Sequence, residues 1–201
     1  MESVREMWEE RFSGETFAYG TEPNEFFRKV LNSLEPGRIL LPADGEARNG
    51  VYAATKGWDV HCVDFSQNAR KKAVQLANLN NVRIHYLISD LFTYDYPQNR
   101  FDAAALIFVH MPPEKRKQLH IKVRESVKSG GCVFLEAFSG RQIRHVSGGP
   151  RDESLLFSKE NLEEDFKDFT FSYLKEEEVV LREGLFHQGK ASVVRMIGTK
   201  P

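Results

Sequence analysis

Gly45 and Asp64 are the residues on which ligand chemistry can be built. The glycine falls in a turn after an apolar run, and the acid stands 19 positions later, at the end of the next apolar run. At a strand-turn-helix junction such a glycine lets the backbone approach a ligand. An acid at that distance accepts hydrogen bonds from ribose hydroxyls. Asp90 closes a third run, where it can accept a hydrogen bond from an adenine amino group or cap a turn. His110 follows a fourth run and reads either as an acid/base or as a structural histidine. Trp8 and Tyr19 read as packing aromatics or as π faces for a positive sulfonium, a contact worth roughly 0.5 to 2 kcal/mol.

These residues need elements to hold them. Ile39 to Leu41 reads as a buried strand, ended by Pro42, which has no amide hydrogen, while Gly45 permits a positive φ. A helix is expected from Arg48 to Lys56, stopped by Gly57, and a strand from Trp58 to Val63. The full Gly-x-Gly-x-x-Gly pattern is absent, because Ala43 and Ala47 stand beside Gly45. A pyrophosphate needs amides exposed by several glycines, so the alanine methyls count against a nicotinamide dinucleotide. S-adenosylmethionine has ribose and adenine without phosphate and tolerates a less open turn. A βαβ unit with no ligand is the plainer alternative.

The rest of the chain extends this unit. An amphipathic helix is expected from Ser3 to Phe12, and a second opening at Pro23 and running to Leu34. Ser66 is placed as the cap of a helix reaching Asn80-Asn81, followed by a strand from Val82 to Ile88. Phe101 to Val109 reads as a buried parallel strand that delivers His110-Met111-Pro112-Pro113 to the ligand edge. A helix from Glu114 to Lys128 should stop at Gly130-Gly131, before a strand from Cys132 to Phe138. Ser139 to Phe157 lacks a pattern and reads as a substrate-covering loop. Ser158 caps a short helix, and Phe169 to Leu181 pairs with Ala191 to Gly198 as an antiparallel closing hairpin. The fold class is α/β, a doubly wound, mostly parallel, Rossmann-like sheet.

With 201 residues and 41% hydrophobic composition, the chain suits one domain, 1–201. Residues 1–35 would form a helical lid and 139–157 a substrate-side loop. A net charge of −1 gives no field to draw nucleic acid or an anionic membrane. The basic triplets Arg70-Lys71-Lys72 and Lys115-Arg116-Lys117 fall on polar helix faces. Cys62 and Cys132 sit inside apolar strand patterns with no ligand spacing, so no metal site is expected, and they read as buried reduced thiols. The N-terminus has no apolar signal core and no stretch suits a membrane span, so a soluble, cytoplasmic protein is expected.

Several short stretches together resemble the class I S-adenosylmethionine-dependent methyltransferases, among them the small bacterial enzymes related to tellurite-resistance and thiopurine methyltransferases. The stretches are Trp8-Glu9-Glu10-Arg11-Phe12, Tyr19-Gly20-Thr21-Glu22-Pro23-Asn24, Gly45-Glu46-Ala47-Arg48-Asn49, Val63-Asp64-Phe65-Ser66, Asp90-Leu91, Gly148-Gly149-Pro150 and His187-Gln188-Gly189-Lys190-Ala191. The resemblance implies a seven-stranded sheet with an antiparallel last strand. It implies Gly45 under the methionine part of S-adenosylmethionine, Asp64 on the ribose, Phe65 against the adenine, and Asp90 with Leu91 at the adenine edge. Arg11 and Tyr19 would close over the methionine end. The chain departs from the family where Leu41 replaces an acid and where Ala43 and Ala47 replace glycines; Asp44 is available as a displaced carboxylate for the cofactor's amino group.

The implied reaction is in-line transfer of the sulfonium methyl. A soft acceptor such as a thiolate or a tellurium or selenium oxyanion needs little help from a base, whereas an oxygen or nitrogen acceptor needs one, with His110 or His187 as candidates. Asn/Asp-Pro-Pro-Tyr, the amide-methylating signature, is replaced by His110-Met111-Pro112-Pro113. A small-molecule acceptor is therefore expected, with no nucleic acid or membrane partner and a monomer or homodimer as the state. The rival readings are a cofactor-binding protein without catalysis and a nicotinamide-dependent oxidoreductase.

Overall fold

The computed structural model describes residues 4–201. Ser3, the expected start of the first helix, lies outside the described residues. Seven strands form one sheet in the order β3-β2-β1-β4-β5-β7-β6, and the chain divides into two compact units.

The first unit comprises Met1–Tyr94 with Glu183–Phe186. It contains α1 (Val4–Arg11), α2 (Glu25–Leu31), β1 (Arg38–Pro42), α3 (Arg48–Thr55), β2 (Asp59–Asp64), α4 (Gln67–Leu79) and β3 (His85–Ile88). β1 pairs in parallel with β2, and β2 with β3, in a register that sets Pro42 opposite Val63 and Asp64 opposite Ile88. Ile39, Leu40 and Leu41 are buried, as a strand covered on both faces requires. Ser66 caps α4 as expected, its Oγ accepting the Ala69 amide. α2 differs: Asn24, not Pro23, begins it, because the Asn24 Oδ1 accepts the Phe27 amide at 2.8 Å and a proline offers no such acceptor.

The second unit comprises Asp95–Arg182 with His187–Pro201. Its elements are β4 (Phe101–Ile107), α5 (Pro113–Ser126), β5 (Val127–Phe138), α6 (Lys159–Asp165), β6 (Thr170–Glu183, whose last residue falls in the first unit) and β7 (His187–Thr199). β4 and β5 are parallel, and β7 runs antiparallel to β5, with Glu136 opposite Arg195. Those two side chains form an ion pair that Glu177 extends, its Oε1 3.3 Å from Arg195.

Two expectations fail here for identifiable reasons. Gly130-Gly131 does not stop α5. That helix ends at Ser126, Val127 already pairs with Phe101, and pairing resumes at Cys132 with Ala103. The glycines sit in the bulge between, where Gly130 takes φ 75° and exchanges backbone hydrogen bonds with Lys200 through its amide and the Gly131 carbonyl. The 139–157 segment is also more ordered than a patternless sequence suggests. It holds 3₁₀ turns at Gly140–Arg144 and Glu153–Leu155 and a bridge between Ser139 and Phe157. Buried Gln142 pins it, donating to Ser147 Oγ and the Gly148 carbonyl and accepting the Ser192 amide at 2.8 Å. Hydrogen bonds of this kind leave no periodic trace in a sequence.

Candidate functional site

The turn after β1 places Ala43, Gly45 and Ala47 at φ 54°, 54° and 59°. This is the left-handed region, which costs a residue with a Cβ roughly 1 to 2 kcal/mol. The two alanines therefore hold the conformation of a glycine-rich turn under strain. Asp64, buried at the end of β2, fastens that turn: its Oδ2 accepts the Gly45 amide at 3.0 Å and its Oδ1 the Ser66 amide at 2.9 Å. Burial raises the Asp64 pKa, and the Ser66, Gly45 and Phe65 amides pull it back. The Tyr86 hydroxyl completes the arrangement by donating to the Gly45 carbonyl at 2.7 Å.

Asp44 turns its carboxylate into the protein's own turn. Its Oδ1 accepts from Asn49 Nδ2 at 3.2 Å and its Oδ2 from the Gly50 amide at 2.9 Å, so it satisfies the first turn of α3, where Ala47 has no capping side chain. Burial pushes its pKa up to about 7.

The N-terminal segment is moored over this turn. Phe12 lies on Gly45 so closely that a Cβ there would stand 3.1 Å from the ring's Cζ. Phe12, Ala18 and Ala69 form a small core with Trp8 and Tyr19 packed against it. Glu9 takes the Ser66 hydroxyl and the Gln67 and Asn68 amides at 2.8–3.1 Å, capping α4 from α1. Glu46 accepts the Ala18 amide and pairs with Lys72 at 2.7 Å, and Lys72 also donates to the Thr16 carbonyl. Arg48 pairs with Glu183 at 2.7 Å, and Asn49 accepts the Asn24 amide at 2.9 Å.

The remaining expected residues lie around this arrangement. Arg11 donates to the Tyr19 hydroxyl at 3.2 Å and stacks its guanidinium 4.0 Å from the Phe186 ring centre. Phe65 carries the Arg5 guanidinium over its ring at 5.8 Å and accepts from Arg5 through its carbonyl. Asp90 is exposed and turns its Oδ1 to the Phe92 amide at 2.7 Å, while Leu91 is buried. A cavity of about 470 Å³ opens beside α1, lined by Met7, Arg11, Thr16, Ala18, Leu185 and Phe186 among others.

His110 and His187 belong to the second unit. His110 is bound on both sides by backbone: Nδ1 lies 2.8 Å from the Leu155 carbonyl, which can only accept, so Nδ1 carries the proton, and Nε2 accepts the Phe138 amide at 3.1 Å. Burial lowers its pKa to about 4, which keeps the ring neutral. His187 is buried, edge-on to Phe108 and Phe138 at centroid distances of 4.6 and 5.2 Å.

Residues 39–131 match the family model described as a methyltransferase domain. The fold is shared with a structure solved in work on the conversion of a disulfide bond into a thioacetal group during echinomycin biosynthesis, at TM-score 0.79 and 14% identity over 98% of this chain and 93% of that one. It is shared with TehB from Haemophilus influenzae, at 0.74 and 19% over 89% and 63%. It is shared too with 1,6-didemethyltoxoflavin-N1-methyltransferase from Burkholderia thailandensis, bound to its substrate and S-adenosylhomocysteine, at 0.66 and 17% over 88% and 77%. Residues 39–131 are thus similar to a methyltransferase domain, and the fold is the one that S-adenosylmethionine-dependent methyltransferases share. No curated protein matches its sequence.

The end of β2 has a chemistry that suits S-adenosylmethionine. The two oxygens of buried Asp64, at the carboxyl end of β2, accept the Gly45 and Ser66 amides, and a carboxylate's several lone pairs leave acceptor capacity for a ribose hydroxyl. Sequence reasoning missed Glu9, Phe12, Glu46, Lys72 and Glu183, which tie the N-terminal segment to the turn. Glu46, Arg48 and Asn49 lay inside a motif already singled out, but a motif does not say whether its side chains face a ligand or another segment of the chain. Among the described residues no helix is long and apolar enough to cross a membrane.

Proposed function

We propose that the chain is an S-adenosylmethionine-dependent methyltransferase that acts on a small, soft, anionic acceptor, a thiolate or a chalcogen oxyanion. The observation that carries this reading is the cavity of about 470 Å³ with the Arg11 guanidinium in its wall. Its size falls within the roughly 300 to 1,000 Å³ of small-molecule sites, and Arg11 gives its wall a cation that suits an anion, with the Glu10 carboxylate beside it. The sulfur chemistry of the echinomycin-pathway relative supports a sulfur acceptor.

In this reading Gly45 lies under the methionine part of the cofactor, Asp64 holds the ribose, Phe65 packs on the adenine, and Asp90 with Leu91 borders the adenine edge. Arg11 and Tyr19 close the methionine end as part of the N-terminal lid. When bound, the cofactor supplies an activated methyl group on a positive sulfur. The chain's contribution is alignment and exclusion of water, which Phe12, Trp8 and the Glu9 cap of α4 provide. A soft anion attacks without a base. An oxygen or nitrogen acceptor would need a base, and both nitrogens of His110 are already engaged by backbone.

Calorimetric titration with S-adenosylmethionine and S-adenosylhomocysteine tests the cofactor site, and release of S-adenosylhomocysteine with thiols, selenite, tellurite, phenols and amines tests the acceptor. Micromolar binding with turnover of the soft acceptors is expected. Binding with turnover of phenols or amines alone would overturn the acceptor class, and loss of binding altogether would overturn the site.

A further inference from the structure

A cluster of metal-ligating side chains stands at the start of β2, away from the end that carries Asp64. Asp59 and His61 alternate along β2 and so share a face, and His85 is the β3 residue directly opposite His61. Parallel pairing therefore brings together three residues that are far apart in sequence, which is why the spacing of the chain announced no metal site. The Nε2 atoms of His61 and His85 lie 3.2 and 3.5 Å from the same oxygen, Asp59 Oδ1. The candidate ligand atoms of the three side chains all fall within 4.8 Å of one another. The imidazoles stack with centroids 4.7 Å apart and planes at 21°.

The geometry points to a binding site for a borderline transition-metal dication, of the zinc, nickel or copper class, held by Asp59, His61 and His85. Four ligands arranged tetrahedrally at about 2.0 to 2.1 Å from a metal stand about 3.3 to 3.4 Å from each other. The two nitrogen–oxygen separations, 3.2 and 3.5 Å, bracket that edge. Two imidazoles with one carboxylate select these ions over magnesium or calcium, which prefer oxygen shells. Arg38, the register partner of Asp59 on β1, donates from Nε to Asp59 Oδ2 at 2.8 Å and leaves Oδ1 turned to the histidines. That contact orients a ligand in the way outer partners do at metal sites. The two imidazoles must turn slightly to converge, and the His85 side chain, 72% exposed, has room to do so. A metal here would fasten the four-residue strand β3 to β2, and its fourth position would be taken by water.

The experiment uses the untagged chain, stripped of metal with a chelator and titrated with zinc, nickel or magnesium chloride by calorimetry, with thermal unfolding in parallel. Binding of one zinc or nickel ion per chain, a raised Tm and no response to magnesium are expected. His85→Ala and His61→Ala should each weaken zinc binding at least tenfold, while His145→Ala, outside the cluster, should leave it unchanged. Because His85 is exposed, its variant should keep the fold, which circular dichroism checks. Absence of stoichiometric binding, or equal binding by the wild-type and His85→Ala chains, would overturn the proposal and leave a hydrogen-bonded His-Asp-His group without an ion. Neither outcome depends on S-adenosylmethionine binding, which is measured separately.

Discussion

Asp44 in the first unit and His110 in the second are both buried, both hydrogen-bonded, and shifted so that each resists charge. Asp44 is pushed up to about 7 and His110 down to about 4. Burial disfavours the ionised form in both cases, but the ionised form is the deprotonated one for the acid and the protonated one for the imidazole. The two regions therefore respond to pH with opposite sign. The difference separates their tasks as well. Asp44 in the turn and Asp64 at the end of β2 accept backbone amides around the turn, whereas the His110 ring has given both nitrogens to the main chain.

The largest effect should come from breaking the fastening on the first side of this comparison. Glu46→Ala leaves Lys72, whose side chain is 9% exposed, without its carboxylate, and removes the acceptor of the Ala18 amide. A loss of about 3 to 5 kcal/mol of stability is expected in denaturant unfolding, as for other broken buried pairs. A loss below about 1 kcal/mol would show that the N-terminal segment is not held through this pair.

The pH dependence sharpens the comparison directly. Between about pH 4 and 7 the folded chain holds a proton on Asp44 that the unfolded chain has released, so this group lowers stability as pH rises, by up to about 1.4 kcal/mol per unit. Between about pH 4 and 6.5 the unfolded chain holds a proton that folded His110 refuses, so this group raises stability as pH rises. Asp44→Asn should make the slope of unfolding free energy against pH more positive, and His110→Asn should make it more negative. Equal changes in both variants would mean that one of the two groups titrates normally in the folded state.

Ligand binding distinguishes the two regions in another way. Asp64→Ala should weaken S-adenosylmethionine by about 1.5 to 3 kcal/mol, the range for hydrogen bonds to a charged group, or roughly 10- to 150-fold. His110→Asn should leave that affinity within a few-fold of wild type. Calorimetry on the two variants checks both statements, and the reverse ranking would move the cofactor contact to the second unit.

The Ser66 cap and the alternation of β1, α3 and β2 were legible because periodicity, caps and breakers act locally. The bulge at Gly130-Gly131 was not legible. Its glycines answer to hydrogen bonds with Lys200, near the far end of the chain, rather than to the helix before them. The same limit applied at the candidate site. Asp64 could be read from its place after β2, but Phe12 on Gly45 and the Glu9 cap of α4 join residues more than 30 positions apart. His61 and His85 met only through strand register. Sequence spacing shows which residues an element presents, and long-range packing decides which of them meet.

The alanines of the turn offer the smallest and most discriminating test. Ala47 holds φ 59° and ψ 31° at the start of α3, where its methyl group is buried but supplies no cap, so the packing it gains offsets only part of the strain. A glycine would adopt the same dihedrals without that cost but would lose more entropy on folding, a partial offset of about 0.4 to 1 kcal/mol. Ala47→Gly should therefore stabilise the fold by no more than about 1 kcal/mol. Because the wild-type turn already has the glycine-like conformation, the substitution should change S-adenosylmethionine affinity by less than about threefold. A large gain in affinity would show that the methyl group, rather than the backbone, limits the pocket. An unchanged affinity with a higher unfolding midpoint would show that the turn remains competent to bind and that the alanine costs only stability.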